Sequence, residues 1–456
     1  MAVRDRVRVA APAFIAICAV SIGVAASLVP WWVTIGALLL LGVAVLGWLS
    51  LRGLLMFYAF VAVNLGVQEL PVDVGFAVTP DVIVTSIVIA AFAAYFVMRR
   101  QSHLPTYVVP FAFFLLVSLA TLPTSPAPFQ GFKAWFRFLS YPLIALTAAE
   151  VVSTREGVWD LVRVLLLSSI VPLTVGIIQL LTQSGEIVYV PGLETIVRLK
   201  GTTGGSYTYS FYLCVITLLS MTLLFERSHL GLSTRTSIAL AALAALSTAS
   251  VILTFIRGAW LALIAGWLVL GAFAYRRLLI AAPVVVALMW FFVEPVRARM
   301  LTILMPSDTS VERLILWQYS ISLFLERPVL GHGLYAFEWG LTDRVRSVLP
   351  IVIEGTSPHN EPLQFLVDSG VVGAAAFYAS VLLAARQGWM LLRTSKEPLF
   401  AAIGLSLIAF TAALLVGGLT QNPLSSQPAV SIYFWLLVGL STAALRLHFR
   451  ALPQAT

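Results

Sequence analysis

Apolar segments long enough to cross a bilayer recur along the whole chain of 456 residues. A transmembrane helix needs about 20 mostly apolar residues to cross a hydrocarbon core of about 30 Å. The chain is 60% hydrophobic and only 11% charged, which excludes a soluble enzyme, a secreted disulfide scaffold and a disordered protein. We therefore predict an all-α integral membrane protein, a single polytopic domain over residues 1–456 with about 12–14 transmembrane helices.

The apolar segments give fourteen predicted spans. The first span follows three arginines, but it is too long for the apolar region of a signal peptide. The prediction of a span is weakest for 135–149, because this segment is short and contains Arg137. The spans are 10–29, 33–49, 53–67, 81–98, 107–122, 135–149, 158–182, 206–225, 236–255, 258–275, 278–293, 360–385, 398–417 and 426–445.

The distribution of Lys and Arg between loops predicts the sidedness. With both termini in the cytoplasm, every inner loop carries at least one Arg or Lys, as the positive-inside rule requires. Short outer loops should be poor in such residues. Five cations nevertheless fall in these short outer loops, which predicts an anionic ligand there. The alternative is that they snorkel to lipid headgroups, or that Arg198 pairs with Glu194. They are Lys133, Arg137, Arg198, Lys200 and Arg257.

One long polar region, the predicted outer loop 294–359, interrupts the spans. A loop of this length in a compact protein is usually functional. Apolar residues recur at helical spacing from Val311 to Leu325, which predicts an amphipathic helix on the membrane surface. We expect Ser310 to cap this helix, and the glycines of Gly331-His332-Gly333 to allow a sharp turn close to a ligand.

Two histidines lie in the predicted outer region. His359, at the entrance of the next span, is a candidate general base, since imidazole titrates near neutral pH. Asn360 follows it and is placed to orient a ring or a sugar. His332 is a weaker candidate, because a turn between two glycines explains it. The sequence contains no Walker A, GxSxG, HExxH or Asp-x-Asp pattern, so we predict no nucleotide, no cofactor and no required metal.

Several motifs, taken in order, resemble the O-antigen ligase and polymerase family. Their order and spacing are more specific than any one of them, and they cover a core region of about 195–385. The motifs are Thr254-Phe255-Ile256-Arg257-Gly258-Ala259-Trp260, Glu312-Arg313-Leu314-Ile315-Leu316-Trp317, Pro328-Val329-Leu330-Gly331-His332-Gly333, His359-Asn360 and Asp368-Ser369-Gly370-Val371-Val372-Gly373. The family commonly has a serine where this chain has Ile256, and a basic residue that either Arg198 or Lys200 matches.

The resemblance implies a glycosyltransferase of the bacterial cytoplasmic membrane that acts at the outer face on glycans linked to undecaprenyl diphosphate. Arg257 and Arg313, with Arg198 or Lys200, would then bind the diphosphate. His359 would be the base, and Asn360 and His332 would orient the sugar. The partners implied are the lipid-linked donor, membrane lipids and a glycan, lipid or protein acceptor. The resemblance does not separate ligase from polymerase.

Two other interpretations stay open from the sequence. The first is a transporter or flippase for a lipid-linked oligosaccharide or an anionic solute. Such proteins tend to show internal repeats and ionisable groups at the bilayer midplane, and no clear repeat is visible in this chain. The second is a cell-wall polymerase of another glycosyltransferase branch, against which the Arg257-Gly258 and His359-Asn360 pairs argue.

Overall fold

The computed structural model describes residues 50–64, 70–73, 77–78, 86, 91–93, 104–189, 195–292, 294–304, 308–347 and 356–451. The predicted spans 10–29 and 33–49, and most of 81–98, lie outside the described residues.

Helices dominate the described part of the chain, with two short hairpins between them. The strands are β1 Leu70–Asp73, β2 Ala77–Val78, β3 Glu186–Tyr189 and β4 Thr195–Arg198. The helices are α1 Leu51–Val61, α2 Val108–Thr121, α3 Pro128–Val151, α4 Arg155–Leu167, α5 Ile170–Thr182, α6 Ser206–Phe225, α7 Thr234–Leu253, α8 Arg257–Phe273, α9 Leu278–Phe292, α10 Glu294–Leu304, α11 Asp308–Glu326, α12 Thr342–Arg346, α13 Glu361–Thr394, α14 Pro398–Gly418 and α15 Pro428–Arg450.

The prediction of an all-α integral membrane protein is confirmed. Six helical segments of the described chain are long and apolar enough to cross a membrane: α4 with α5, then α6, α7, α13, α14 and α15. Shorter apolar helices include α1, α8 and α9. The predicted span 158–182 is divided between α4 and α5, because the Ser168 and Ser169 hydroxyls donate to the carbonyls three residues back, each at 2.6 Å.

The centre of the bundle is formed by α6, α14 and α15, the most buried of the six candidate spans. In the described residues α14 packs against α8 and α13, and α15 packs against α3. Stacked and edge-on rings join α2, α3 and α13, with Phe365 and Phe377 stacked at 4.1 Å between ring centroids and Phe114 against Phe138 at 5.3 Å. This scaffold fixes the helix ends from which the site is built.

Ion pairs at one end of the bundle agree with the predicted sidedness. Each pair joins two segments assigned to the inner face, and the charges of each pair come from different helix ends. The pairs are Arg52 with Asp160, Arg155 with Glu397 at 2.9 Å, and Arg446 with Glu150. The three pairs therefore hold these segments at the same end of the bundle, as the charge pattern predicts. Which end of the bundle faces the cytoplasm stays a prediction.

The hairpin of β3 and β4 was not expected from the sequence, and it carries one of the candidate cations. The strands pair antiparallel, with Glu186 opposite Arg198. Alternate residues of a strand point to the same face, so Ile196 and Arg198 are both buried against the bundle. Because Glu186 also accepts a hydrogen bond from the Ser206 hydroxyl at 2.7 Å, the hairpin is held beside the start of α6.

The predicted amphipathic helix of the outer loop is present as α11. It begins at Asp308, so Ser310 lies inside its first turn and the expectation that Ser310 caps the helix is wrong. Leu316 and Leu323 face the protein, while Leu314 and Leu325 are exposed. The outward face of α11 is therefore apolar, as a helix lying on a membrane surface requires.

Candidate active site

The turn formed by residues 331–333 packs against a break in the helical backbone of α13 at Gly370. Gly331 and Gly370 both have positive φ, 69° and 63°. A Cβ on Gly370 would lie 2.3 Å from the Val329 carbonyl oxygen, so only glycine fits there. The His332 and Gly333 amides donate to the carbonyls of residues 367 and 368 at 2.9 and 2.8 Å. The turn therefore lies against the backbone of α13, and its expected closeness to a ligand stays a prediction.

A chain of buried side-chain hydrogen bonds connects this turn to the loop between α14 and α15. The Asp368 carboxylate accepts from the Tyr335 amide at 3.0 Å and from the Gln364 side-chain amide at 2.8 Å. Gln364 in turn accepts from the Asn422 side chain at 3.2 Å. Because buried polar groups are costly unless paired, the chain fixes the loop around Asn422 relative to α13.

Glu361 fixes the same loop from the first turn of α13. One of its carboxylate oxygens accepts from the backbone amides of Leu424 and Ser425, both at 2.6 Å. The side chain is almost fully buried. This contact holds the loop so that Gln421 lies beside His359, which is two residues before the start of α13.

His359 sits in a strained and largely enclosed position. Its φ is 50°, a left-handed conformation that a residue other than glycine adopts only when the surroundings enforce it. The ring Nδ1 lies 3.4 Å from the Gln421 Oε1. Burial, together with the positive charge of Arg313, lowers the pKa of the imidazole to about 4, although the contact with Gln421 acts in the opposite direction. The ring is therefore neutral at physiological pH.

Three of the predicted cations lie near one another, and Arg313 of this group is close to the histidine. Arg198, Arg257 and Arg313 lie close enough to repel one another electrostatically. Arg198 is buried, and its Nε has no hydrogen-bond partner among the described residues. Burial and the repulsion from Arg198 lower the pKa of Arg313, while Tyr207 raises it. Like charges held together out of water favour an anion between them.

The tyrosine at position 207 joins the cations to the histidine. Its hydroxyl lies next to the Arg313 guanidinium, and its ring centroid is 6.4 Å from that of His359. Tyr207 and Gln421 were both missed by the sequence reasoning. Neither belongs to a recognisable motif, and only the packing of α6 and of the loop after α14 brings them to the site.

The local backbone and its packing explain why Gly258 follows Arg257 in the sequence. Phe255 has a φ of 54° and ends the connection between α7 and α8, so that Arg257 opens the first turn of α8. A Cβ on Gly258 would lie 2.3 Å from the Thr420 Oγ1 and 3.3 Å from the Gln421 Cγ. The glycine thus lets α8 approach the loop that orients His359.

The remaining predicted site residues have other contacts. Asn360 caps α13, with its Oδ1 accepting from the Leu363 amide at 3.0 Å, while its Nδ2 donates to the Leu419 carbonyl at 3.1 Å. His332 is buried, with a ring nitrogen 2.9 Å from the Leu323 carbonyl oxygen. The backbone amide of Lys200 donates to Gln179. The roles of these three residues toward a sugar or a phosphate stay predictions.

A second polar cluster, next to the site, involves the outer cation Arg137. Its guanidinium contacts the Tyr335 hydroxyl and donates to the Ser425 carbonyl at 2.6 Å. Glu338 accepts from the Ser426 hydroxyl at 3.0 Å. Burial and the charge of Asp368 raise the pKa of Glu338 to about 8. This cluster joins the outer loop to α3, and in the described residues no three His, Cys, Asp or Glu side chains converge as metal ligands would.

Comparison with known proteins supports the family suggested by the motifs. Residues 241–378 match the family model described as O-antigen ligase. The matched segment includes Arg257, Arg313 and His359, whereas Arg198 lies outside it. No curated protein matches the chain. The matched segment, in a polytopic helical membrane protein, supports membership of the O-antigen ligase and polymerase family.

Proposed function

We propose that this membrane enzyme transfers a glycan from an undecaprenyl-diphosphate donor to an acceptor hydroxyl at the outer face of the bacterial cytoplasmic membrane. The match of residues 241–378 to the O-antigen ligase model supports a membrane glycan-transferring enzyme of ligase or polymerase type. The observation that carries the finer proposal is the convergence of Arg198, Arg257 and Arg313 beside a neutral His359. Such a site combines a receptor for a diphosphate with a base.

In the proposed reaction the acceptor oxygen forms a bond to the anomeric carbon, and the bond from that carbon to the diphosphate oxygen breaks. Attack from the face opposite the leaving group inverts the anomeric centre. The electron pair of the broken bond leaves on the polyprenyl diphosphate, and the acceptor proton passes to His359. The reaction needs no metal if the arginines carry the charge that develops on the diphosphate.

The contact of His359 with Gln421 supports the choice of the reactive nitrogen. An amide oxygen accepts hydrogen bonds, so Nδ1 carries the proton and Nε2 is the basic atom. The imidazole is neutral at physiological pH because its pKa is depressed, so it is always in the form that accepts a proton. Diphosphate bound by Arg313 would offset the charge of that arginine, and this would make the bound histidine a stronger base than the free one.

The arginines would bind the diphosphate before the reaction and stabilise it as it leaves. Of the two basic residues at and just after the end of β4, we favour Arg198 over Lys200, because only the side chain of Arg198 is buried close to Arg257 and Arg313. A guanidinium also presents paired donors that match phosphate oxygens. Tyr207 would keep Arg313 in place.

The decisive experiment measures glycan transfer from a purified undecaprenyl-diphosphate glycan, in EDTA, to a panel of acceptors. Wild type should form product. Both His359→Ala and Arg257→Ala should lose at least about a hundredfold in rate, while His359→Ala still binds donor. The matched controls are His229→Ala and Arg327→Ala, a histidine and an arginine on exposed segments, which should keep wild-type rates.

The outcomes separate the competing functions. Full activity in His359→Ala would remove the base from the proposal, and full activity in Arg257→Ala would remove that arginine from the diphosphate site. If wild type binds donor without consuming it, and instead moves it across the membrane of reconstituted vesicles, the protein is a transporter. Product chain length and the acceptor that is used would distinguish a polymerase from a ligase.

A further inference from the structure

The turn that follows Arg198 is held by one buried glutamine side chain of α5. The Gln179 Oε1 accepts hydrogen bonds from the backbone amides of Lys200 and Gly201, at 3.1 and 3.0 Å, and its Nε2 donates to the Gly201 carbonyl at 3.1 Å. These contacts are consistent with one orientation of the side-chain amide, because only its oxygen can accept from backbone N–H groups. Gln179 therefore clamps both backbone polar groups of Gly201.

The face of α5 that carries Gln179 is shaped to receive this turn. Pro172, Gly176 and Gln179 are spaced by four and three residues, which places them on one side of a helix, and all three are buried. Gly201 has a φ of 53°. A Cβ on it would lie 2.8 Å from the Pro172 carbonyl oxygen and 2.7 Å from the ring of Tyr209. The turn thus sits between α5 and α6 in a space that admits only glycine at this position.

A second side-chain amide holds the same turn from the end of α1. The Thr202 hydroxyl donates to the Asn64 Oδ1 at 3.0 Å. Asn64 is itself fixed, because its Nδ2 donates to the Phe60 carbonyl at 3.0 Å. The groups that hold the turn from α1 and α5 are neutral amides, so they bring no negative charge to the segment that carries Arg198. The cation stays available for an anionic ligand.

The hairpin of β3 and β4 depends on attachments of this kind. A two-stranded hairpin is marginally stable by itself, and Ile187 of β3 is 69% exposed. Arg198 is the last residue of β4, and Lys200, whose amide Gln179 holds, comes two residues later. The clamp therefore fixes the backbone directly after the buried arginine.

We propose that Gln179 is a positioning residue, which holds Arg198 where it binds the diphosphate of the donor and does not touch the donor itself. The inference rests on the proposed function, since the diphosphate is the group that Arg198 would bind. A guanidinium must be oriented to present its paired donors to phosphate oxygens. Small displacements of such a group remove much of its effect, so the residues that support it matter for function.

The test measures the binding of geranyl diphosphate, a soluble prenyl diphosphate, to the full-length protein in detergent. Arg198→Ala should weaken binding about tenfold or more, as the loss of a charged hydrogen-bond donor does. Gln179→Met, which keeps the length of the side chain without its amide, should weaken binding up to about tenfold. It should also raise the KM for the lipid-linked donor more than it lowers kcat.

The variant with both substitutions distinguishes positioning from a general structural role. If Gln179 acts through Arg198, the double variant should bind no more weakly than Arg198→Ala alone, because the clamp then has no arginine to position. A structural role that is independent of Arg198 would instead add its own loss of binding to that of Arg198→Ala.

The matched control is Gln183→Met. Gln183 is an exposed glutamine at the end of α5, and its side chain donates to the nearby Leu180 carbonyl, so this variant should bind like wild type. Melting temperatures verify folding. If Gln179→Met does not fold, Thr202→Val loosens the same turn from the side of Asn64. It should show the same dependence on Arg198 with a smaller loss of binding.

Three results tell the inference from the proposed function. If Arg198→Ala weakens binding but Gln179→Met does not, or if the two losses add, the inference is wrong and the diphosphate site stands. If Arg198→Ala binds geranyl diphosphate as tightly as wild type, the proposed diphosphate site is wrong, and the inference falls with it. If the two substitutions are coupled but no acceptor receives glycan, the positioning role stands and the transferase proposal is wrong.

Discussion

At the scale of single residues, the environment of His359 decides how the site can work. The imidazole is kept neutral by burial and by the nearby charge of Arg313, and Gln421 fixes its orientation. A base of low pKa is a weak one, but it is fully available and becomes stronger when an anion binds beside it.

The first prediction concerns the pH dependence of transfer. Because the pKa of free His359 is lowered to about 4, kcat/KM should stay level on the acid side down to about pH 5 and fall only as the pH approaches 4. In Arg313→Gln the repulsive charge is gone, so the pKa of His359 should rise and the acid limb should move to higher pH. A series of rate measurements on both proteins checks this.

The position of the acid limb is independent of the overall rate, so the shift can be measured even if Arg313→Gln is slow. Arg327→Gln, on an exposed segment, is the control and should leave the limb where it is. An acid limb near pH 6.5 in wild type would show that burial does not hold the imidazole neutral.

At the scale of elements, the site depends on the close approach of the α8 N-terminus to the loop that precedes α15. Gly258 permits this approach. We predict that Gly258→Ala lowers kcat roughly 10- to 100-fold, since the new Cβ meets Thr420 and moves Gln421 away from His359, and small displacements of catalytic groups have effects of this size. The rates of Gly258→Ala and of Gly258→Ala with Thr420→Ala test the explanation.

Removal of the Thr420 hydroxyl makes room for the new methyl group, so the double variant should recover part of the lost activity. Thr420→Ala alone should be close to wild type and serves as the control. If the double variant is as slow as Gly258→Ala, steric displacement of the loop is not the cause.

The outer loop is attached to the bundle by the cluster around Glu338, and this predicts a pH dependence of stability. The folded protein holds the Glu338 proton up to about pH 8, whereas an exposed glutamate releases it near 4.5. Between these values the folded state binds more protons, so the free energy of unfolding falls as the pH rises. Glutamine has no proton to release, so the Glu338→Gln variant lacks this fall in the free energy of unfolding. Its drop in Tm from pH 5 to about pH 8 should therefore be smaller than that of wild type.

Thermal unfolding in detergent at both pH values measures this effect. Glu326→Gln is the matched control: the exposed Glu326 pairs with Arg344, which lowers its pKa, so this substitution should not reduce the drop. An equal drop in Glu338→Gln and wild type would exclude Glu338 as the source.

At the scale of the whole molecule, the ion pairs place the ends of α1, α3, α4, α14 and α15 at one face of the bundle, and the arginine cluster belongs to segments assigned to the other face. We predict that the cluster faces the outside of the cell. Ser184→Cys, between α5 and β3, should react with an impermeant maleimide on intact spheroplasts, whereas Ser228→Cys, between α6 and α7, should react only after permeabilisation.

Both serines are exposed, so a difference in labelling reports sidedness and not burial. The native Cys18 and Cys214 are first replaced by alanine. Labelling of Ser228→Cys alone on intact spheroplasts would invert the topology and place the site on the cytoplasmic side.

The sequence by itself determined the class of protein, most helix positions in the described chain and the outer helix now labelled α11. These follow from hydrophobicity and its period, which are local properties of consecutive residues. It also indicated Arg257 and Arg198 as candidates, since charged groups in short outer loops are conspicuous in an apolar chain. His359 was a candidate because imidazole titrates near neutral pH, and Arg313 was a candidate because of the family resemblance. The motif pattern added the resemblance to the O-antigen ligase and polymerase family.

Only the tertiary structure decided which candidates meet. Asn360 caps α13, and the side chain whose hydrogen bond reaches the His359 ring is Gln421, 62 positions away in the sequence. The burial of Arg198 depends on a hairpin that the helical pattern did not predict. The turn at Gly331 packs against the backbone of residues 368–370. These contacts join distant segments through buried polar groups, and no local pattern in the sequence encodes which distant partner satisfies a given hydrogen bond.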